Sequence, residues 1–403
     1  MKNFIGRILE RLKYLKISDI KHVFLFFCAV PISFIFRLFH KNLWLICEDG
    51  NSARDNGYWL FKYICENQKN VDVAYAITKK SPDRNKVLKY GNVVTFATLK
   101  HWIYYISAKY NIFSAKLGKP SPAVCFPLEQ IGILKNKKIF LQHGIIKDDM
   151  KSLYYDVCKF SLFSTSAFRE YEFVENTFGY KGKNIVKLLG LTRFDNLYSK
   201  IGYCNKKQIL IMPTWRDWLG NASLHLSFEK FKKSEYFVQY QSLLNDSIFQ
   251  TFLIENNLRL IFFPHKGMQK FRECFSSNCK NIIIADWNKY DIQQLLIDSA
   301  ICVTDYSSIA MDFAYMLKPL IYFQFDYEKF RTSHYGEGYF SYAKDGFGEI
   351  CKRKDDVECL IKEYYENDFK IKDKYLNRIK DFFTLHDNKN CYRTFEAIKN
   401  LSL

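Results

Sequence analysis

Short apolar runs alternate with amphipathic stretches along most of this chain, and that alternation restricts the fold more than any other feature. Leu43–Cys47, Val71–Ile77, Val93–Phe96, Tyr110–Phe113, Ile139–Leu141, Phe160–Ser164 and Ile185–Leu189 each have the length of one buried strand. Helical periodicity fills the gaps, for instance at 55–66 and 166–177. Strands separated by helices build a parallel, doubly wound sheet.

A second series follows at Ile209–Met212, Leu258–Phe263, Ile282–Ile284, Ile301–Thr304 and Leu320–Phe323, with helices near 235–256, 291–299, 308–317 and 355–366. The polar stretch 200–207 separates the two series. The expected fold is therefore α/β, with two facing Rossmann-like domains at 42–204 and 205–403. The tail, 371–400, reads as helix, a polar turn at His386–Asn390, then helix.

Residues 1–41 are different. Residues 2–16 place Phe4, Ile8, Leu12 and Leu15 near one helical face, with Lys and Arg opposite. Residues 23–36 are uncharged and apolar, flanked by Lys13, Lys16 and Lys21 before and Arg37 and Lys41 after. At 14 residues, and interrupted by Pro31, that run is short for a spanning helix. It begins late for a signal peptide and lacks a small-residue cleavage pattern. Two readings stand: an amphipathic and apolar segment lying on a membrane surface, or a helical hairpin packed on the domain.

The net charge of +18 is spread as lysine along the chain. It suits anionic partners, such as membrane lipid, nucleic acid or phosphorylated substrates, or a simply lysine-rich solvated surface. No nucleic-acid module is visible, so nucleic acid is not the expected partner. The 12 cysteines are scattered without a C-x-x-C pair, which indicates neither a disulfide framework nor a zinc site but a reducing, cytoplasmic compartment.

In doubly wound sheets ligands bind beyond the carboxyl ends of the strands. Five strand ends carry polar clusters. His143-Gly144 follows the run at 139–141; the histidine suits a general base or a hydrogen-bonded cap of the sheet. Arg193 and Asp195 follow the run at 185–189, and as a mutual pair they would fix the hinge between the halves. Arg216 follows 209–212, its guanidinium fork suited either to phosphate or to pairing with Asp217 on the surface. His265 and Lys266 follow 258–263 and present two groups to a phosphate. The fifth cluster runs from Val303 to Asp312. Thr304, Asp305, Ser307 and Ser308 fill a loop between strand and helix, a site for an anion or, more simply, an N-cap.

Taken in order, QHG-x-x-K at 142–147, GLTRFD at 190–195, PTWR at 213–216, PHK at 264–266, TDYSS-x-x-x-D at 304–312, KP at 318–319 and G-x-G-Y at 336–339 resemble the CDP-glycerol glycerophosphotransferase family of teichoic-acid primases and polymerases and related capsule enzymes. The resemblance covers roughly 42–400, and the tail residues His386, Asp387, Asn388 and Arg393 extend it. Gln142 stands where such polymerases often have Trp, and Ile145-Ile146-Lys147 where they have Pro-Leu-Lys, which leaves the acceptor and the polyol open.

The resemblance implies a GT-B fold and transfer of a polyol phosphate from CDP-glycerol or CDP-ribitol to a hydroxyl of a lipid-linked or polysaccharide acceptor. CMP would leave. His143 would be the base. His265, Thr304, Ser307 and Ser308 would hold the pyrophosphate, Arg216 and Lys266 would add donors, and Gly144, Arg193, Asp195, Asp305 and Asp312 would support them. It implies no resident cofactor and no metal. The basic charge and the N-terminal segment, with an anionic lipid-linked acceptor, point to peripheral attachment to an anionic membrane surface on its cytoplasmic face. A GT-B glycosyltransferase using a nucleotide sugar is the alternative.

Overall fold

A computed structural model describes residues 17–220, 226–333 and 336–402. The amphipathic segment expected at 2–16 lies outside the described residues. The first half contains β1 (Trp44–Ile46), β2 (Val73–Ile77), β3 (Val93–Thr95), β4 (Tyr110–Phe113), β5 (Lys137–Phe140), β6 (Leu162–Thr165) and β7 (Val186–Leu188). They form one sheet in the order β3-β2-β1-β4-β5-β6-β7, and every pairing is parallel. The second half contains β8 (Asn205–Ile211), β9 (Arg259–Phe262), β10 (Ile282–Ile284), β11 (Ser299–Thr304), β12 (Leu320–Phe323) and β13 (Gly348–Cys351), again all parallel, in the order β10-β9-β8-β11-β12-β13.

In both sheets the strand order thus reverses once, between β1 and β4 and between β8 and β11. These are the points where open α/β sheets bind ligands. The central strands are buried on both faces because helices cover both sides, which is why they read as continuous apolar runs. β13 escaped the pattern because Gly348-Glu349-Ile350-Cys351 is an edge strand with Ile350 exposed. The helix expected over 235–256 is two helices, Glu235–Leu244 and Ser247–Glu255. Asp246 breaks it by capping the second, accepting from the N–H groups of Ile248 and Phe249 at 3.0 Å each.

The halves share an apolar seam. The helix Phe194–Tyr198 packs on the helix Ile309–Tyr315, with Phe194 stacked on Tyr315 at 4.2 Å. Ile145, Leu191 and Phe194 join Tyr306, Ala310 and Phe313 in one cluster. The last helix, Asn390–Lys399, returns to the first half, where Phe395 stacks on Trp44 at 5.5 Å. Asp195 holds its first turn, accepting from the N–H groups of Asn390 (2.8 Å) and Cys391 (2.9 Å). Residues 390–402 therefore depart from the rest of 205–403 in packing against the first sheet.

The apolar stretch at 23–36 belongs to a longer helix, Ile17–Phe39, and Pro31 lies inside it rather than ending it. One face docks on the helix Leu99–Ser107: Phe26 meets Trp102 edge-on at 5.5 Å, and Ser107 donates to the carbonyl of Ser33. The opposite face carries Phe24, Phe27, Phe34, Ile35 and Leu38, each about two-thirds exposed. By length and composition, Asp19–Phe39 could cross a membrane.

Candidate active site

The site grows from the carboxyl end of β1. Glu48 leaves that strand into the interior, and its carboxyl collects the N–H groups of Arg54 (3.0 Å), Asp55 (2.9 Å) and Tyr58 (2.8 Å). Burial raises this carboxyl to about 8, nearby Asp55 adding to the effect, despite those three donors. The loop 48–55 is thereby folded around Glu48 and delivers Asp55 as the N-cap of the helix Asn56–Asn67.

Asp55 then faces the end of β5. Its Oδ2 lies 2.6 Å from Nδ1 of His143, and its Oδ1 accepts from Nη1 of Arg193 at 2.7 Å. The backbone before His143 is set by Gln142 in the left-handed region (φ 66°). Asn56 holds the carbonyl of Gln142 at 2.9 Å. The His143 side chain is 73% exposed, and Asp55 engages only its Nδ1. The Asp55 carboxylate raises the imidazole above its ordinary value. Burial would raise Asp55 itself, but His143 and Arg193 outweigh burial and hold it low.

Arg193 is the tie between the halves. Its Nε and Nη2 donate to the two carboxylate oxygens of Asp312 at 2.5 and 2.8 Å, and its Nη1 also reaches the carbonyl of His143 at 2.7 Å. The expected Arg193–Asp195 pair is not formed, because Asp195 serves the last helix. Gly144 abuts the loop after β11 so closely that a Cβ there would lie 2.4 Å from Oγ of Ser308. The His143–Gly144 loop of one half and the Ser307–Ser308 loop of the other are therefore in contact.

On the second half, His265 accepts from the N–H of Gly267 through Nδ1 at 3.1 Å and stacks over Trp215, leaving its ring partly exposed. Lys266 is exposed and crosses to Asp49 at 2.6 Å. Ser307 and Ser308 are partly exposed at the start of the helix Ile309–Tyr315. Two of the residues read as phosphate donors do not present themselves to the cleft. Arg216 is fully buried, its fork spent on Asp326 (2.7 and 3.0 Å) and Asp305 (2.8 Å), not on Asp217. Thr304 is fully buried and donates to the carbonyl of Met212 at 2.8 Å. Asp305 also takes the N–H groups of Thr214 and Tyr306, so this cluster shapes the loop from beneath.

Sequence reading missed Glu48, Asp49 and Asp55. The same strand-end rule finds Glu48 and Asp49, since Leu43–Cys47 runs straight into them, but not Asp55, which follows a loop. It also missed the reach of Lys147, which is buried and donates to the carbonyl of Tyr306 across the cleft at 2.8 Å. Chemically, the first half offers an imidazole with one nitrogen fixed on a carboxylate and in a loop that meets the Ser308 hydroxyl, and the second half offers a second imidazole and an ammonium group at the end of β9. That set suits proton removal from a hydroxyl next to an anionic group.

The family model for CDP-glycerol:poly(glycerophosphate) glycerophosphotransferase matches residues 29–400. The chain is 32% identical over 99% of its length to the minor teichoic acid biosynthesis protein GgaB of Bacillus subtilis (strain 168), and spans 45% of that protein. It is 24% identical over 81% of its length to the teichoic acid poly(glycerol phosphate) polymerase of Bacillus spizizenii, covering 85% of it. A solved variant of the wall teichoic acid polymerase TagF, soaked with CDPG, superposes with a TM-score of 0.67 at 16% identity, over 96% of this chain and 99% of that one.

Proposed function

Because the chain belongs to the CDP-glycerol:poly(glycerophosphate) glycerophosphotransferase family, we propose that it transfers a polyol phosphate, glycerol phosphate foremost, from a CDP-activated donor to a hydroxyl of a lipid-linked or polysaccharide acceptor during assembly of a teichoic-acid-type polymer. The observation that carries this reading is the contact between the His143–Gly144 loop and the Ser307–Ser308 loop. In this reading His143 is the general base and the neighbouring hydroxyls hold the donor's phosphates.

In this reading the acceptor O–H gives its proton to Nε2 of His143 while the oxygen attacks the distal phosphorus of the donor. The phosphorus–oxygen bond to CMP breaks, and CMP leaves with the electron pair. Asp55 keeps the proton of His143 on Nδ1, so Nε2 is the bare nitrogen, and it stabilises the imidazolium that forms. His265, Lys266, Ser307 and Ser308 offset charge on the pyrophosphate. The donor arrives activated, so the reaction as proposed calls on no resident cofactor or metal.

The outward face of Ile17–Phe39 supports a seat for the enzyme on the inner face of the cytoplasmic membrane. A helix docked by one side and apolar on the other lies along an interface, and the charge of +18 favours anionic lipid there. The deciding experiment is product mass analysis with CDP-glycerol, CDP-ribitol and UDP-sugars, each with a lipid-linked acceptor. Release of CMP with addition of a polyol phosphate is expected. Turnover of a UDP-sugar alone would replace this reading with a glycosyltransferase.

A further inference from the structure

The segment Gly336–Asp345 of the second half opens with the G-x-G-Y run at 336–339 and takes no part in the transfer as proposed above. It lies against residues 143–149 of the first half, the loop that carries His143. We propose that this strap is a positioning element for the reaction, with Gly338 at its centre, and that it sets the spacing between His143 and the hydroxyls of Ser307 and Ser308. The role rests on the transfer reading and adds to it a part of the second half that grips the base loop from outside.

Three contacts make the grip. The N–H of Asp149 donates to the carbonyl of Gly336 at 3.2 Å, in an antiparallel bridge. Two residues further on, Gly338 is pressed onto the carbonyl of Lys147: a Cβ at 338 would lie 2.1 Å from that oxygen and 2.9 Å from Cα of Asp148. Ordinary carbon–oxygen contact needs roughly 3.3–3.6 Å, so the approach leaves room for glycine alone. Arg331, in the helix before the strap, donates through Nη1 to Oδ1 of Asp148 at 2.6 Å.

Strap and loop are mounted on one helix of the first half, Phe168–Thr177. Arg169 donates through Nη2 to the carbonyl of Tyr339 at 2.9 Å and through Nη1 to Asp345 at 2.7 Å. The next residue, Glu170, is fully buried and accepts the N–H of Ile146 at 2.6 Å and that of Ser166 at 2.7 Å. Phe173 meets the Tyr339 ring at 5.3 Å. Consecutive side chains therefore hold the strap and the loop, and the loop is fixed on two sides, by Glu170 and by Gly338.

Lys147 carries the effect to the chemistry. Its carbonyl sits under Gly338, and its buried ammonium donates to the carbonyl of Tyr306 at 2.8 Å and to Oδ2 of Asp148 at 3.1 Å. Tyr306 directly precedes Ser307, and His143 lies four residues before Lys147. Shifting the backbone at Lys147 therefore changes the distance from the base to the hydroxyls. A general base works within roughly 2.6–3.2 Å of its proton donor, and a misplacement of about 1 Å can cost about 10²-fold.

The test uses the full chain with Gly338→Ala, Arg331→Gln and Gly336→Ala, each checked for its thermal transition. Hydrogen exchange over 143–149 reads the grip, and steady-state CMP release from CDP-glycerol reads its use. Gly338→Ala must lift the strap from Lys147. It is expected to speed exchange over 143–149 and to lower kcat roughly 10- to 100-fold, with the donor KM and inorganic pyrophosphate binding as in wild type. Arg331→Gln removes one contact of the grip, so it should act in the same direction by a smaller factor, and it carries the same readings if Gly338→Ala does not fold. Gly336→Ala would place its Cβ 3.5 Å from that of Asp149, an ordinary contact, and should keep the wild-type exchange pattern. Unchanged exchange in a folded Gly338→Ala overturns the grip. Faster exchange with wild-type kcat overturns the positioning role and leaves the transfer reading standing. Loss of pyrophosphate binding in step with kcat also overturns it, since Gly338 would then be supporting the whole cleft. Wild-type protein that releases no CMP overturns both readings.

Discussion

Nδ1 of His143 lies 2.6 Å from Oδ2 of Asp55, and the same carboxylate holds Arg193 through its other oxygen. One aspartate therefore orients the proposed base and anchors the arginine that joins the halves. Three of its consequences are open to measurement. His143→Ala removes the acceptor of the proton and is expected to lower kcat by roughly 10²–10⁴-fold with the fold intact. Asp55→Asn is expected to cost about 10²-fold or more, because an amide facing Nδ1 favours the tautomer whose proton sits on Nε2. The pH profile gives the sign. Asp55 raises the imidazole, so the neutral, active base appears only above the ordinary value of about 6.5. Wild-type activity should rise through an acid limb above that value, and Asp55→Asn should move the limb to lower pH. A limb that does not move would remove His143 as the titrating group.

Gly144 and Ser308 make a second, steric prediction. A Cβ at 144 would lie 2.4 Å from Oγ and 2.9 Å from Cβ of Ser308. Gly144→Ala must push the two loops apart, at a cost of about 1–3 kcal/mol, and should reduce kcat/KM more than it lowers the thermal transition. Ser308→Gly should relieve the clash, so the double variant should be more stable than the two single effects added together. Strict additivity would mean that the loops do not meet in solution.

Arg216 shows how far sequence could see. Its place after a strand and its phosphate-friendly fork were legible. Its direction was not, because Asp305 and Asp326 lie 89 and 110 residues further on and only the sheet brings them beneath it. The central strands were legible for the opposite reason: each is a local apolar run buried on both faces, whereas the edge strand β13 is not. His143 and His265 were found because a strand delivers them directly, whereas Asp55 arrives after a loop folded around Glu48. Its relation to His143, 88 residues away, is tertiary.

From that geometry, Arg216→Lys should act on stability before it acts on donor binding. Lysine cannot span two carboxylates in the plane that the guanidinium occupies, and a broken buried ion network costs about 3–5 kcal/mol. For a domain of this size that is a fall of roughly 6–20 °C in the transition. Among molecules that remain folded, the donor KM should stay near wild type. A large rise in KM without loss of stability would return Arg216 to the phosphate.

The outer face of Ile17–Phe39 yields the last prediction. Phe24, Phe27 and Phe34 are each about two-thirds exposed, while Phe26, on the docked face, packs on Trp102. Changing Phe24, Phe27 and Phe34 to Ser removes apolar surface from the outer face and leaves the docking contacts in place. Sedimentation with vesicles containing anionic lipid should fall at least about 10-fold, since burying each phenylalanine contributes roughly 1.5–3 kcal/mol. The thermal transition of the lipid-free protein should hardly change, because these rings pack on little. Substituting Phe26 should do the reverse, lowering stability through the lost contact with Trp102. Equal sedimentation of the triple variant and wild type would show that the exposed face does not meet lipid.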